Sequence, residues 1–258
     1  MKLTWFGTAG FQIETDQHTI LIDPYFTRNP QARPKQSLQA ADIHQADSIF
    51  ISHGHFDHIY DVPEIATRTK ARVYCGKEIE KTLAKKGLSP NQIQTVASDG
   101  QQFDCDGIGA QAFFSKHVVF DKWLLVRSLA RINFRIRRYL PLVKEYPEGQ
   151  VLSWRFTIDG KIIHHFGSAG SSLEELERLG QNPTDILLVP MQGHTFITRI
   201  AHRYVNLLQP KMVIPHHQDD FFPPVSMLVT TDQLVRRIHQ THPHTIVRVL
   251  AVNQAIEL

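Results

Sequence analysis

Three histidines and an aspartate fall within one short run, Ser-His-Gly-His-Phe-Asp-His, from Ser52 to His58. Imidazole nitrogens and carboxylate oxygens are ordinary ligands for zinc and related first-row dications. A site that leaves one coordination position open binds water and lowers its pKa to about 7, which provides a nucleophile at neutral pH. The cluster starts where the apolar run "DSIFIS" ends. His53, His55, Asp57 and His58 therefore sit on a tight connection after a buried strand, where several side chains can converge on one cation. A lone histidine in a polar loop is usually a solvated surface residue, but four such residues in this position favour a metal site.

The elements that must carry this cluster are short. "KLTWF", "FQIET" and "HTILID" read as closely spaced strands, with Gly7 and Gly10 at turns. Further strands are expected at "ARVYC", "GAQAFF", "VLSWRFTI", "KIIHHF", "DILLVP", "KMVIP" and "TIVRVL". Helices come between them: "KEIEKTLAKKG" stops at Gly87, and "SSLEELERLG" opens on a capping box of Ser171 and Glu174. Two more helices are expected near residues 198–209 and 231–241. Strands first, then strands alternating with helices, indicate an α/β fold with sheets covered by helices.

Composition sets outer limits. The chain has 258 residues, 42% of them apolar, which suffices for one large domain, and it contains no linker-like tract or repeat. The N-terminus lacks the apolar segment of a signal peptide, and no run approaches the roughly 20 residues of a membrane span. Cys75 and Cys105 lack a metal-type spacing and read as reduced thiols, in keeping with a cytoplasmic setting. A net charge of +3 is too small by itself to indicate a nucleic-acid partner.

The run His53, His55, Asp57, His58 resembles the His-x-His-x-Asp-His motif that defines the metallo-β-lactamase superfamily, and the likeness extends over nearly the whole chain. It implies a four-layer αββα sandwich and a metal-dependent hydrolase in which a metal-bound hydroxide attacks a carbonyl or phosphoryl centre. Asp23, ending "ILID", would orient a ligand histidine, although Asp-Pro is also a common turn start. His117, after "GAQAFFSK", would complete a first site with His53 and His55. Asp57, His58 and His217 would form a second, and Asp57 would orient or deprotonate the water. In "MVIPHH", neighbouring His216 and His217 point to opposite sides, and the Pro-x-His pattern selects His217. The sequence departs from the family at "FGSAG", where Ser168 stands in place of an aspartate that bridges two metals. A hydroxyl brings no charge, so the first site is expected to hold metal more tightly than the second unless Asp57 and a water bridge compensate. The resemblance implies Zn2+, one or two ions, with Mn2+ or Fe2+ as alternatives.

Within the superfamily the likeness runs to small hydrolases related to ascorbate-6-phosphate lactonase and N-acyl-phosphatidylethanolamine phospholipase D, through "LLVPMQGHTFITRIAHRYVNLLQPKMVIPHH". His194 falls on its turn and could touch the substrate or a developing anion; an exposed loop role competes. The other histidines, His18, His44, His164, His165, His202, His239, His242 and His244, lie outside any ligand spacing. Residues 118–150 read as a basic helical insertion, with seven Lys or Arg against three Asp or Glu. At helical spacing Leu125, Leu129, Ile132, Ile136 and Leu140 share one face, and Arg127, Arg131, Arg135 and Arg138 the other, beside Trp123 and Phe134. Such a stripe can bind an anionic small-molecule substrate, touch a membrane surface, or simply face solvent. The expected activity is hydrolysis of a phosphoester, or of a lactone or amide. A catalytically degenerate binding protein and a nuclease are the rivals, the first motivated by Ser168.

Overall fold

The computed structural model describes residues 1–123 and 140–258, and the expected arginine stripe of Arg127, Arg131, Arg135 and Arg138 lies outside them. The first half of the chain forms a sheet of β1 (Lys2–Gly7), β2 (Gly10–Glu14), β3 (Thr19–Ile22), β4 (Ser48–Phe50), β5 (Arg72–Gly76) and β6 (Ile93–Val96). The second sheet contains β7 (Gln101–Cys105), β8 (Ile108–Ser115), β9 (Val151–Ile158), β10 (Lys161–Phe166), β11 (Ile186–Pro190), β12 (Met212–His216) and β13 (Ile246–Val247). The last strand, β14 (Gln254–Glu257), returns to the first sheet beside β1. In each sheet one half is antiparallel and the other parallel: β3 to β6 run parallel, as do β10 to β13.

The sheets pack face to face because their inward side chains are large and apolar. Trp5, Phe11, Phe50, Trp154 and Phe156 meet there, all nearly inaccessible to water. Each such side chain contributes about 1.5–3 kcal/mol by burial. The outer face of the first sheet is covered by α1 (Phe56–Ile59), α2 (Val62–Thr69) and α3 (Lys77–Lys85), through Val62, Ile65, Ile79 and Leu83. A further helix, α4 (Leu140–Glu145), follows β8 in the chain. The second sheet is covered by α5 (Leu173–Gly180), α6 (Ile197–Leu208) and α7 (Asp232–Thr241). The layers are therefore helix, sheet, sheet, helix.

The differences from expectation are local. The strands at β6, β7 and β14 and the helices α1 and α2 are additional to those read from the sequence; "TIVRVL" contributes only the two residues of β13. Helix α5 is capped one residue later than expected. Ser172 is the N-cap and accepts the Glu175 N–H at 3.1 Å, while Ser171 donates its hydroxyl to the Glu175 carboxylate at 2.9 Å. Only the Ser172 hydroxyl satisfies a free N–H group at this helix start; the Glu175 carboxylate is taken up by Ser171 instead of returning to the N-cap N–H.

Candidate metal centre

The residues that gather at one edge of the paired sheets lie in the connections that follow strand ends. Asp23 follows β3 in the left-handed region (φ 43°), and its N–H donates to Phe50 O at 3.0 Å. Its carboxylate accepts the Ser52 N–H at 2.7 Å and the Ser52 hydroxyl at 2.5 Å, which sets the chain direction after β4. The second sheet reaches across to the same segment: Trp154 Nε1–H donates to Ile51 O, and Leu152 N–H to Ser52 O. Gly54 donates its N–H to Glu148 O at 2.7 Å, and a side chain at this position would strike the Pro147 carbonyl. The glycine between the first two histidines is thus required by a close backbone approach. Helix α1 then turns Asp57 and His58 inward.

Two groups of three result, His53 with His55 and His117, and Asp57 with His58 and His217; within each the ligand atoms lie within 4.8 Å of one another. The hydrogen bonds set the tautomers. The single Ser52 hydroxyl proton goes to Asp23, so His53 Nδ1–H donates to Ser52 Oγ at 2.9 Å and Nε2 keeps its lone pair. Only a donor can face a carbonyl, so His117 Nδ1–H donates to Val118 O at 2.8 Å and again frees Nε2. His58 Nδ1–H donates to Asp23 Oδ2 at 2.8 Å. Asp57 Oδ2 lies 3.5 Å from His58 Nε2 and 3.3 Å from His217 Nε2. His217 is left-handed (φ 58°), and its N–H donates to Thr8 O at 2.8 Å.

The electrostatics suit a cation. Burial, reinforced by the other imidazoles, pushes His53 well below the usual histidine range, and burial brings His117 down to about 4. The facing nitrogens His53 Nε2 and His55 Nδ1, 3.1 Å apart, belong to rings that burial keeps neutral, and a metal would take the place of the one proton between them. Burial alone would raise Asp57, but His58 and His217 outweigh it and hold the carboxylate ionised. Burial likewise opposes charge on His58, yet Asp23 and Asp57 raise its pKa. A proton between two carboxylates is what a metal displaces on binding. The donor set thus fits a first-row dication in either triad.

Other residues expected at the site divide. His216 points the opposite way from His217, into the core, stacked at 5.1 Å on His165 and edge-on to Phe11. Ser168 borders the site, and its Oγ accepts the Val118 N–H at 3.0 Å. In the position expected for a bridging carboxylate, the hydroxyl instead holds the segment after His117. His194 is not among the cavity-lining residues; its Nδ1 accepts the Phe196 N–H at 3.0 Å and lies 3.4 Å from Asp121. Cys75 and Cys105 are free and buried.

A cavity of about 320 Å³ opens above both triads. Phe56, Val118, Phe120, Tyr146, Phe222 and Met227 form much of its wall, and no Lys or Arg is among its described lining residues. Phe56 and Phe222 pack at 4.8 Å between ring centres. Sequence reasoning did not single out this wall. Its signal is the apolar "FF" that follows His217 by a few residues, together with Phe56 inside the histidine run.

Comparison with known proteins agrees with this geometry. The family model described as the β-lactamase superfamily domain matches residues 2–217. A UPF0173 metal-dependent hydrolase of Pyrococcus abyssi is 29% identical over 88% of this chain and 88% of its own length. A UPF0173 metal-dependent hydrolase of Staphylococcus aureus is 28% identical over 86% of this chain and 87% of its own. The solved structure of Igni18, a metallo hydrolase from Ignicoccus hospitalis, superposes with a TM-score of 0.71 at 25% identity, covering 99% of this chain and 97% of that one. The histidine and aspartate triads at the edge of an αββα sandwich and the match over most of the chain show that it belongs to the metallo-β-lactamase superfamily.

Proposed function

We propose that this chain, a metal-dependent hydrolase of its superfamily, cleaves a lactone, ester or amide that carries an apolar group. The observation that carries this reading is the wall of the cavity: aromatic and aliphatic side chains stand directly over the two triads, and the described lining offers no cation to a phosphate. A phosphoester substrate would draw its support from Arg127, Arg131, Arg135 and Arg138, which lie outside the described residues. Zinc is the metal we favour, because imidazoles and one carboxylate converge in a buried site. When bound, the metal supplies Lewis acidity and lowers the pKa of a coordinated water. His53, His55 and His117 would hold one ion, and Asp57, His58 and His217 a second.

The chain's own groups then have separable tasks. Asp57 Oδ2, kept ionised between His58 and His217, orients the attacking water and accepts its proton. Asp23 fixes the ring of His58, and Ser52 fixes that of His53. Phe56, Phe120 and Phe222 bind the apolar group and exclude bulk water from the reacting bond. Residues 1–258 are best taken as one domain, since both sheets share a core, and two free thiols suit a cytoplasmic setting. No helix among the described residues is long and apolar enough to cross a membrane.

The test is a panel of lactones, aryl esters of increasing acyl length, amides and a phosphodiester, assayed with and without a chelator. The expected outcome is chelator-sensitive cleavage that improves with acyl length and is lost in Asp57→Asn. Turnover of the phosphodiester alone would overturn the substrate class. Metal binding without turnover of any substrate would favour a binding protein, the reading that Ser168 supports.

A further inference from the structure

Three of the ligand histidines have a hydrogen-bond partner on the ring nitrogen that does not face the metal position. His53 has Ser52, His58 has Asp23 and His117 has the Val118 carbonyl. His55 turns Nδ1 toward His53 Nε2, and its Nε2 faces Glu148 Oε2 at 4.0 Å. Closing that gap by about 1 Å brings the pair to hydrogen-bond distance. The backbone at Glu148 is anchored beside His55: its carbonyl accepts the Gly54 N–H at 2.7 Å, the neighbouring Tyr146 is buried, and Gln150 N–H donates to Glu78. Its carboxylate shares a surface groove with His55, Lys116 and His117.

The charge matters because of what the first triad lacks. His53, His55 and His117 are three neutral rings, and Ser168 puts a hydroxyl where a shared carboxylate would stand. We propose that Glu148 is a positioning residue for the first metal site: it accepts the His55 Nε2–H, fixes that ring with Nδ1 toward the metal, and supplies the negative charge that Ser168 does not. The proposal rests on the reading of the two triads as metal sites. A carboxylate–histidine–metal relay raises the basicity of the ligand nitrogen, and losing it costs about 10- to 100-fold in metal affinity. The groove position leaves the Glu148 side chain nearly half exposed, so neutralising it does not disturb the core.

The experiment is zinc titration against a chromophoric chelator, using the whole chain as wild type, Glu148→Gln, Ser168→Asp, the double variant, and His117→Ala to identify the first-site equivalent. Glu148→Gln should weaken the equivalent that His117→Ala abolishes by about 10- to 100-fold and leave the other unchanged. Adding Ser168→Asp to Glu148→Gln should recover much of the loss, because a carboxylate returns to the same site. Unchanged affinity in Glu148→Gln, or an equal loss from both sites, overturns the proposal. So does a wild type whose only zinc survives His117→Ala. A wild type that binds no zinc at all refutes the metal-site reading itself, which is a separate result.

Discussion

The two triads are built from nearby residues but differ in where their negative charge is kept. In the Asp57, His58, His217 group every member is buried, one ligand is itself ionised, and a second carboxylate, Asp23, stands directly behind His58. In the His53, His55, His117 group no ligand is charged; the half-exposed Glu148 stands at its rim, and Asp57 acts on His55 from the neighbouring triad. Attraction between unit charges falls with distance and with the effective dielectric, so buried carboxylates in contact hold a dication more strongly than a solvated one at the rim. The second triad should therefore retain metal longest. This is the reverse of the order expected from the Ser168 substitution alone, because the structure assigns Asp23 to His58, on the side that already holds Asp57.

The largest break of this comparison is Asp57→Asn, which keeps the size and removes the charge. Hydrolysis should fall by about 10²- to 10⁴-fold, the usual range for loss of a proton acceptor. A rate within a few-fold of wild type would move the chemistry away from this carboxylate. Asp23→Asn comes next: zinc in the second triad should weaken by about 10- to 100-fold and zinc in the first triad by less, since Asp23 reaches His53 only through Ser52, as read by chelator competition. Equal weakening of both would mean that Asp23 supports the whole edge through Ser52. The smallest expected effect is Phe120→Ala, at a half-exposed wall position. KM for long-acyl esters should rise roughly tenfold, in line with losing part of one apolar contact, while metal content stays the same. If short and long esters respond alike, the wall does not read the apolar group.

How much of this was legible in the sequence depends on chain distance. His53, His55, Asp57 and His58 could be read directly, because one strand end presents all four. His117 and His217 came from the resemblance, and the structure brings both to the same edge. Glu148 carries no local signal. Its only trace is Gly54, a small residue inside a ligand run, required because the Pro147–Glu148 backbone passes against it. The strands β6 and β7 escaped notice since "IQTV" and "QQFDC" are short and half exposed, with too few apolar positions to show a period. Helix α2 begins with Val-Pro, and its Pro63 lies in the first turn, where a missing N–H does no harm but reads as a break. His194 could be read from its place on a turn either as a substrate contact or as an exposed loop residue, and in the structure its Nδ1 meets the Phe196 N–H beside Asp121.

The most direct measurement is elemental mass spectrometry of the protein purified without added metal, comparing wild type with the double variant His53→Ala/His217→Ala, which removes one ligand from each triad. Wild type should carry about one to two equivalents of zinc or another first-row dication, and the double variant essentially none, with folding checked by circular dichroism. A wild type that stays empty after incubation with micromolar zinc, or a folded double variant with unchanged metal content, would contradict the assignment of these six residues as the metal centre.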